Sequence, residues 1–259
     1  MISLAEFQRT MDSDGWVVFP GVVSPALVGD MLTDMSRAWD VCREIQRRNG
    51  VSTEADLTVH HLIAIGESFI RLLAEMEVLD PYFESYFGGK YILNSLGGAI
   101  NTRGRTSYAH RIHRDIRSFS GEMPLMLNTL VMLDAFTAEN GATYMGTGTH
   151  KRAERIGDEE FHRIASRALG PAGSVLVFNS NVWHAGGDNR TAGPRRSVTP
   201  MFCRPFIKPQ FDYPRALGYD RTDWSPHLRQ LLGYDSRIPA SLDEWYQPPE
   251  RRMYLPGQG

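Results

Sequence analysis

Apolar residues follow two different periods along the chain, and the change between them divides it. Leu27, Met31, Met35, Ala38, Trp39, Cys42 and Ile45 recur at helical spacing, which predicts one face of a long helix. Ser24-Pro25 supplies its start, a capping hydroxyl followed by a residue suited to the first turn, and Gly50 its stop. Gly66 to Glu77 predicts a second helix with Phe69, Leu72, Leu73 and Met76 on one face, closed off by Pro81. After Gly89 the period shortens. Tyr91 to Leu96, Leu125 to Leu133, Ser174 to Phe178 and Ser197 to Phe202 read as strands. The run Leu125 to Leu133 is apolar almost throughout, as a strand buried on both faces would be, and only Asn128 interrupts it. Turn-rich stretches, Thr137 to Gly141 and Gly146 to Gly148, lie between strands. Asp158 to Leu169 predicts a connecting helix. Ser225-Pro226 opens a short helix ended by Gly233, and Ser241 with Glu244 makes a capping-box pattern for a last one. The expectation is one domain over 1–259: N-terminal helices at about 24–77, an antiparallel β core at about 91–206, and a tail, 207–259, packed over the core.

Composition narrows the partners. Over 259 residues, 28 Lys and Arg against 30 Asp and Glu give a net charge of −2, with no basic face to meet nucleic acid. No apolar run approaches the roughly 20 residues of a membrane span. The N-terminus lacks the basic and apolar regions of a signal peptide. Cys42 and Cys203 are far apart and read as reduced thiols. These features together predict a cytoplasmic protein that handles a small molecule.

Two short segments carry the candidate chemistry. In His110-Arg-Ile-His113-Arg-Asp115, His113 and Asp115 are two apart, so on extended backbone they point to the same side. His184 follows a predicted buried strand and offers a second imidazole. Two His and one carboxylate on one face of an ion leave the opposite positions open, the donor set of non-haem Fe(II) oxygenases. Each segment alone has an ordinary reading, a surface ion pair or a structural histidine. Eleven residues past His184 comes Arg195, then Ser197 on the same face of the last strand. An Arg and a hydroxyl so placed suit a carboxylate, and a dicarboxylate chelating the ion at one end needs such a partner at the other. That combination points to 2-oxoglutarate.

These pieces, in order, resemble the phytanoyl-CoA dioxygenase family of Fe(II)/2-oxoglutarate oxygenases. They are Gly15-Trp-Val-Val-Phe-Pro-Gly21, His113-Arg-Asp115, the strand ending at Asp134, Asn140-Gly141-Ala-Thr, Gly146-Thr-Gly-Thr-His150, and Trp183-His184 followed by Arg195. The resemblance implies a mainly β fold with flanking helices around a double-stranded β-helix, the jelly-roll core of cupin-like enzymes. It implies His113, Asp115 and His184 as iron ligands, Arg195 and Ser197 at the distal carboxylate of 2-oxoglutarate, and Asn128 as a polar contact to that co-substrate. It implies O2 as the second co-substrate, hydroxylation of an unactivated C–H bond as the default outcome, and desaturation, cyclisation, epimerisation or endoperoxidation as variants. The presence of Asp115 disfavours halogenation, since halogenating relatives replace that carboxylate with a small residue. Relatives often carry Pro-Gly-Ser-His where this chain has Gly146 to His150, and His150 is expected to support that loop. Tyr108, His110, Arg117 and Phe119 surround the first motif as candidate pocket residues for a small, specialised-metabolite substrate. Two alternatives stay open: a cupin-like isomerase or dioxygenase that does not use 2-oxoglutarate, and a silent ligand-binding protein.

Overall fold

In the computed structural model, residues 1–51, 57–105 and 107–254 are described. The N-terminal part is helical, as expected. Helix α1 (Leu4–Ser13) precedes strand β1 (Trp16–Phe19), and helix α2 (Pro25–Arg48) follows. The Ser24 hydroxyl accepts from Leu27 N–H, and Pro25 occupies the first turn. Leu27, Val28, Met31, Met35 and Ala38 are buried, but the predicted face fades beyond them, and Ile45 is exposed. After β2 (Thr58–His60) comes α3 (Glu67–Glu75), which ends earlier than predicted in a 3-10 turn, Met76–Leu79. Pro81 does not end the helical region. It sits in the first turn of a further helix, α4 (Asp80–Phe87), where the missing N–H of proline leaves no hydrogen bond unmade.

Among the described residues, nine strands form two antiparallel sheets. The larger has the order β1-β7-β4-β9-β3-β2, with β3 at Ile92–Asn101, β4 at Met126–Met132, β7 at Val175–Asn179 and β9 at Arg195–Cys203. The smaller has the order β6-β5-β8, with β5 at Tyr144–Gly146, β6 at Ala165–Arg167 and β8 at His184–Ala185. Helix α5 (Asp158–Ile164) is shorter than predicted, because residues 165–167 leave it to pair with β5 as β6.

Alternation along the strands sends side chains to two different cores. Leu127, Val131, Val175, Val177, Val198 and Phe202 pack against the helical layer of Met31, Phe69, Leu72 and Phe83. Their neighbours Leu130, Met132, Leu176 and Phe178 pack with Met145 of the small sheet. Strand β4 is therefore buried on both faces, which is why its apolar run is nearly continuous. Asn128 lies on the face turned to the small sheet, opposite Phe178 and Met201.

The tail is only partly as expected. It forms α6 (Tyr213–Leu217), α7 (Pro226–Leu231) and α8 (Leu242–Trp245). Tyr213, Leu228, Leu231, Leu232 and Tyr234 join the helical core, but Trp245, Tyr246 and Tyr254 stay exposed. Cys42 and Cys203 are not joined by a disulfide. No described helix is long and apolar enough to cross a membrane.

Candidate metal centre

His113, which lies outside the regular strands, forms an antiparallel bridge with His184 of β8. His113 N–H donates to the His184 carbonyl at 3.0 Å, and His184 N–H returns the bond at 2.8 Å. The irregular segment carrying His113 is thus laid against β8, and the two rings sit 4.3 Å apart, centroid to centroid. Asp115 closes the triangle. Its Oδ1 is 3.5 Å from His113 Nε2, and its Oδ2 is 3.6 Å from His184 Nε2. One donor atom from each residue lies within 4.8 Å of the others.

Backbone carbonyls orient both imidazoles. His113 Nδ1 is 2.7 Å from Arg111 O, and His184 Nδ1 is 3.0 Å from Val182 O. A carbonyl only accepts, so each Nδ1 must carry a proton and donate it. In the neutral ring the lone pair is then on Nε2, facing Asp115. Burial pushes the His184 imidazole down to about 4, against the pull of Asp115. Burial also lowers His113, but the hydrogen bond and charge of Asp115 outweigh it and hold His113 above the ordinary histidine value. Burial raises the Asp115 carboxyl, yet His184, His113 and Asn128 together hold it below the usual carboxylate range. Two nitrogen lone pairs and one ionised carboxylate facing a common point suit a divalent transition ion.

Asn128 is tied to the triad. Its Nδ2 donates to Asp115 Oδ2, and its Oδ1 accepts from Ser180 Oγ at 2.5 Å. The amide thus links the Asp115 carboxylate to the Ser180 hydroxyl. Ser180 was not visible as a site residue in the sequence, because nothing local marks a serine just past a strand. Thr149 was equally silent. Its hydroxyl donates to Gly146 O at 2.6 Å and accepts from Trp183 N–H at 3.0 Å, tying the Gly146 to His150 loop to the residue before His184. His150 is buried against Gly15, where a Cβ would come within 2.4 Å of its Nδ1.

Arg195 is the second notable group. It is only 6% exposed, with its guanidinium 4.3 Å above the Phe136 ring. Its Nε is buried without a hydrogen-bond partner, and among the described residues no carboxylate forms an ion pair with it. Burial pulls it down to about 10, only partly opposed by Asp134. Asp134 is committed to the next residue, receiving Arg196 Nε at 2.9 Å and Nη2 at 2.8 Å. Neighbours on a strand point opposite ways, so Arg195 and buried Ser197 share the other face. A lone buried cation of this kind is a ready seat for an anion.

The four candidate pocket residues separate. His110 accepts from Ser107 N–H through Nδ1 at 3.0 Å, so its neutral ring carries the proton on Nε2, which is buried with no partner. Burial first, then the charge of Arg195, hold it below the ordinary histidine value. Tyr108 presents its ring edge-on to His113 at 6.3 Å. Arg117 and Phe119 do not join them. Arg117 is exposed, and Phe119 borders a separate cleft shared with Phe7, Tyr86 and Lys151. The chain turns after buried Ile116, and Arg114 stacks over both Trp183 and Phe119, drawing Phe119 aside.

Comparison with known proteins agrees with this architecture. The phytanoyl-CoA dioxygenase family model matches residues 11–197. An uncharacterized protein of Mycobacterium tuberculosis, Rv1501, is 39% identical over 59% of this chain, and the match spans 56% of the relative's length. Dioxygenase af480 of Aspergillus fumigatus is 25% identical over 95% of this chain and 75% of its own. Among solved structures, AviO1 from Streptomyces viridochromogenes superposes with a TM-score of 0.62 at 17% identity, covering 81% of this chain and 98% of that one. SnoN, a non-haem alpha-ketoglutarate-dependent epimerase of nogalamycin biosynthesis, gives 0.59 at 19% identity, covering 77% and 82%. The two structural likenesses show a shared fold, the jelly-roll core with flanking helices.

Proposed function

The chain belongs to the phytanoyl-CoA dioxygenase family, and we propose that it is an Fe(II)/2-oxoglutarate-dependent dioxygenase. It would oxidise an unactivated C–H bond of a small, specialised-metabolite substrate, with hydroxylation as the default outcome. The observation that carries this reading is the pairing of two sites in one core. One is a triangle of His113, Asp115 and His184 with both Nε2 lone pairs turned inward. The other is a buried guanidinium at Arg195 with no partner of its own.

Bound Fe(II), 2-oxoglutarate and O2 would supply the oxidising chemistry, with decarboxylation of 2-oxoglutarate to succinate. The protein's part is binding, orientation and exclusion. His113, His184 and Asp115 would hold the ion from one side and leave the other positions open. Asn128 is a positioning residue: it fixes the rotation of the Asp115 carboxylate and is itself fixed by Ser180. Arg195 would take the distal carboxylate of 2-oxoglutarate, with the Ser197 hydroxyl on the same face and the free Nε2–H of His110 as a further donor. Tyr108, edge-on to His113, would border the substrate. The relatives named as dioxygenases support the reaction class, and SnoN lends support to the co-substrate.

The test is anaerobic binding of Fe(II) and 2-oxoglutarate, followed by the visible charge-transfer absorption. The wild type should show the band, His113→Ala should lose it, and Arg195→Ala should shift it to higher 2-oxoglutarate concentration. Iron binding with no 2-oxoglutarate dependence would transfer the protein to the cupin-like alternative.

A further inference from the structure

A second concave surface lies apart from the candidate metal centre and shares no residue with it. It is a groove of about 1000 Å³ at the end of the β3–β9 pair opposite Arg195. Strand β9 alone separates the two ends by about 26 Å of extended chain. Three segments wall the groove: the turn before β3 at 88–90, the stretch after β9 at 204–206, and the tail at 236–254.

Two features set its chemistry. The first is apolar exposure. Phe206, Trp245, Tyr246 and Tyr254 line it with 74%, 63%, 77% and 68% of their surfaces open to solvent, and Ile238 beside them is 81% exposed. Large exposed aromatics gathered in one concavity mark a binding surface. The second feature is charge. Arg204, Arg237 and Arg252 line the same groove, and none forms an ion pair with a carboxylate among the described residues. Arg204 donates through Nε to Pro124 O, and Arg252 to Gln247 O. Arg237 stacks at 3.8 Å over Tyr219. These contacts fix the guanidinium groups without neutralising them. Lys90 also lines the groove but is paired with Glu84. The single acid, Glu244, accepts from Ala240 N–H at 2.5 Å.

We propose that this groove binds a free anionic amphiphile, a small molecule with a carboxylate, sulfonate or phosphate group on a flat ring system or acyl chain. The anion would meet Arg237 and Arg252, and the apolar body would lie across Trp245 and Tyr254. The concave, three-walled shape favours a free small molecule over a membrane surface, which calls for a protruding face.

The test uses the full chain and two dye probes of similar shape, anionic 1-anilinonaphthalene-8-sulfonate and neutral N-phenyl-1-naphthylamine. The anionic dye should bind saturably at one site and quench Trp245 emission. Trp245→Ala, and Arg237→Gln with Arg252→Gln, should each weaken it by about tenfold, the scale of one lost charge-assisted contact. Both variants alter exposed or half-buried side chains and should keep the Fe(II)/2-oxoglutarate absorption of the wild type. The proposal is overturned if the variants bind the dye as the wild type does, or if the neutral dye binds as tightly as the anionic one. Sedimentation with anionic vesicles in place of saturable dye binding would make the groove a membrane surface. A concentration-dependent dimer that Trp245→Ala abolishes would give it to a second copy of the chain. Either result also overturns the proposal.

Discussion

Replacing Arg195 by Met separates the stability of the empty protein from its affinity for an anion, and the two should move in opposite directions. Met keeps an unbranched apolar stem over Phe136 and removes the charge. That charge is buried and unpaired, and burial lowers the guanidinium well below its ordinary value, to about 10. The difference corresponds to about 3 kcal/mol of disfavoured ionisation. The sign follows from linkage. A cation whose pKa falls on folding destabilises the fold in full at every pH below the folded value, and the penalty only begins to fade as pH rises above about 10, toward the ordinary value. At pH 7 the full penalty applies. Its removal is offset by the lost cation–π contact, about 1–2 kcal/mol at a desolvated site. The ligand-free variant should therefore be more stable than the wild type by about 1–2 kcal/mol, a melting rise of roughly 2–8 °C for a domain of this size. Its affinity for 2-oxoglutarate should fall by about 100-fold, the scale of losing a buried charge-assisted pair. Thermal denaturation with and without 2-oxoglutarate reads both effects, since ligand raises the midpoint only where it binds. A variant that melts lower than wild type without ligand, or that keeps its 2-oxoglutarate-dependent rise, would refute the account of Arg195 as an unpaired seat for an anion.

Asn128→Leu should retain the fold and lower iron affinity by about 10- to 100-fold, the usual effect of removing a group that orients a metal ligand. Competition with a chelator measures it, and unchanged affinity would remove Asn128 from the site. Thr149→Val leaves the Trp183 N–H buried without an acceptor and should destabilise the protein by about 1–3 kcal/mol in urea denaturation. A loss under about 0.5 kcal/mol, within the scatter of ordinary surface changes, would show that the loop is held otherwise. Metal affinity should fall with pH below the raised value of His113, by about tenfold per pH unit, because one proton must leave for each ion bound. His184, at about 4, and Asp115, held low, are already deprotonated in that range and add nothing to the slope. A slope of two protons near pH 6 would contradict this assignment.

Local signals in the sequence located most elements, and the errors have physical causes. The start of α2 was legible because Ser24 and Pro25 act within one turn of it. Pro81 hides helix α4 in the sequence, because a proline in the first turn starts a helix as readily as it stops one. Strand β3 runs on to Asn101, past Gly97-Gly98, because β9 pairs with it throughout. There the glycines serve close packing: a Cβ on Gly98 would meet Met35 at 2.5 Å. The exposed aromatics of the tail could not be told from buried ones, since composition does not record which face is covered. At the candidate site, His113 and Asp115 were legible because an i, i+2 spacing has a geometric meaning on extended backbone. Arg195 over Arg196 was legible for the same reason. The partner of Asn128 was not. Its contact with Asp115 crosses from β4 to an irregular segment, and only the tertiary fold brings the two together.

The charges of the candidate site explain why so costly a group as a buried, unpaired Arg195 is tolerated. Without ligands the site holds one ionised carboxylate, Asp115, and one guanidinium, Arg195, too separated to pair. Their formal sum is zero. A divalent cation alone would leave an excess of two positive charges in a water-poor core, and the 2-oxoglutarate dianion alone an excess of two negative ones. Each imbalance is unfavourable where the effective dielectric is low. On the proposed reading the two together would restore neutrality, with Arg195 and Asp115 each supplied a counter-charge. Electrostatics alone would then make the binding of each favour the binding of the other.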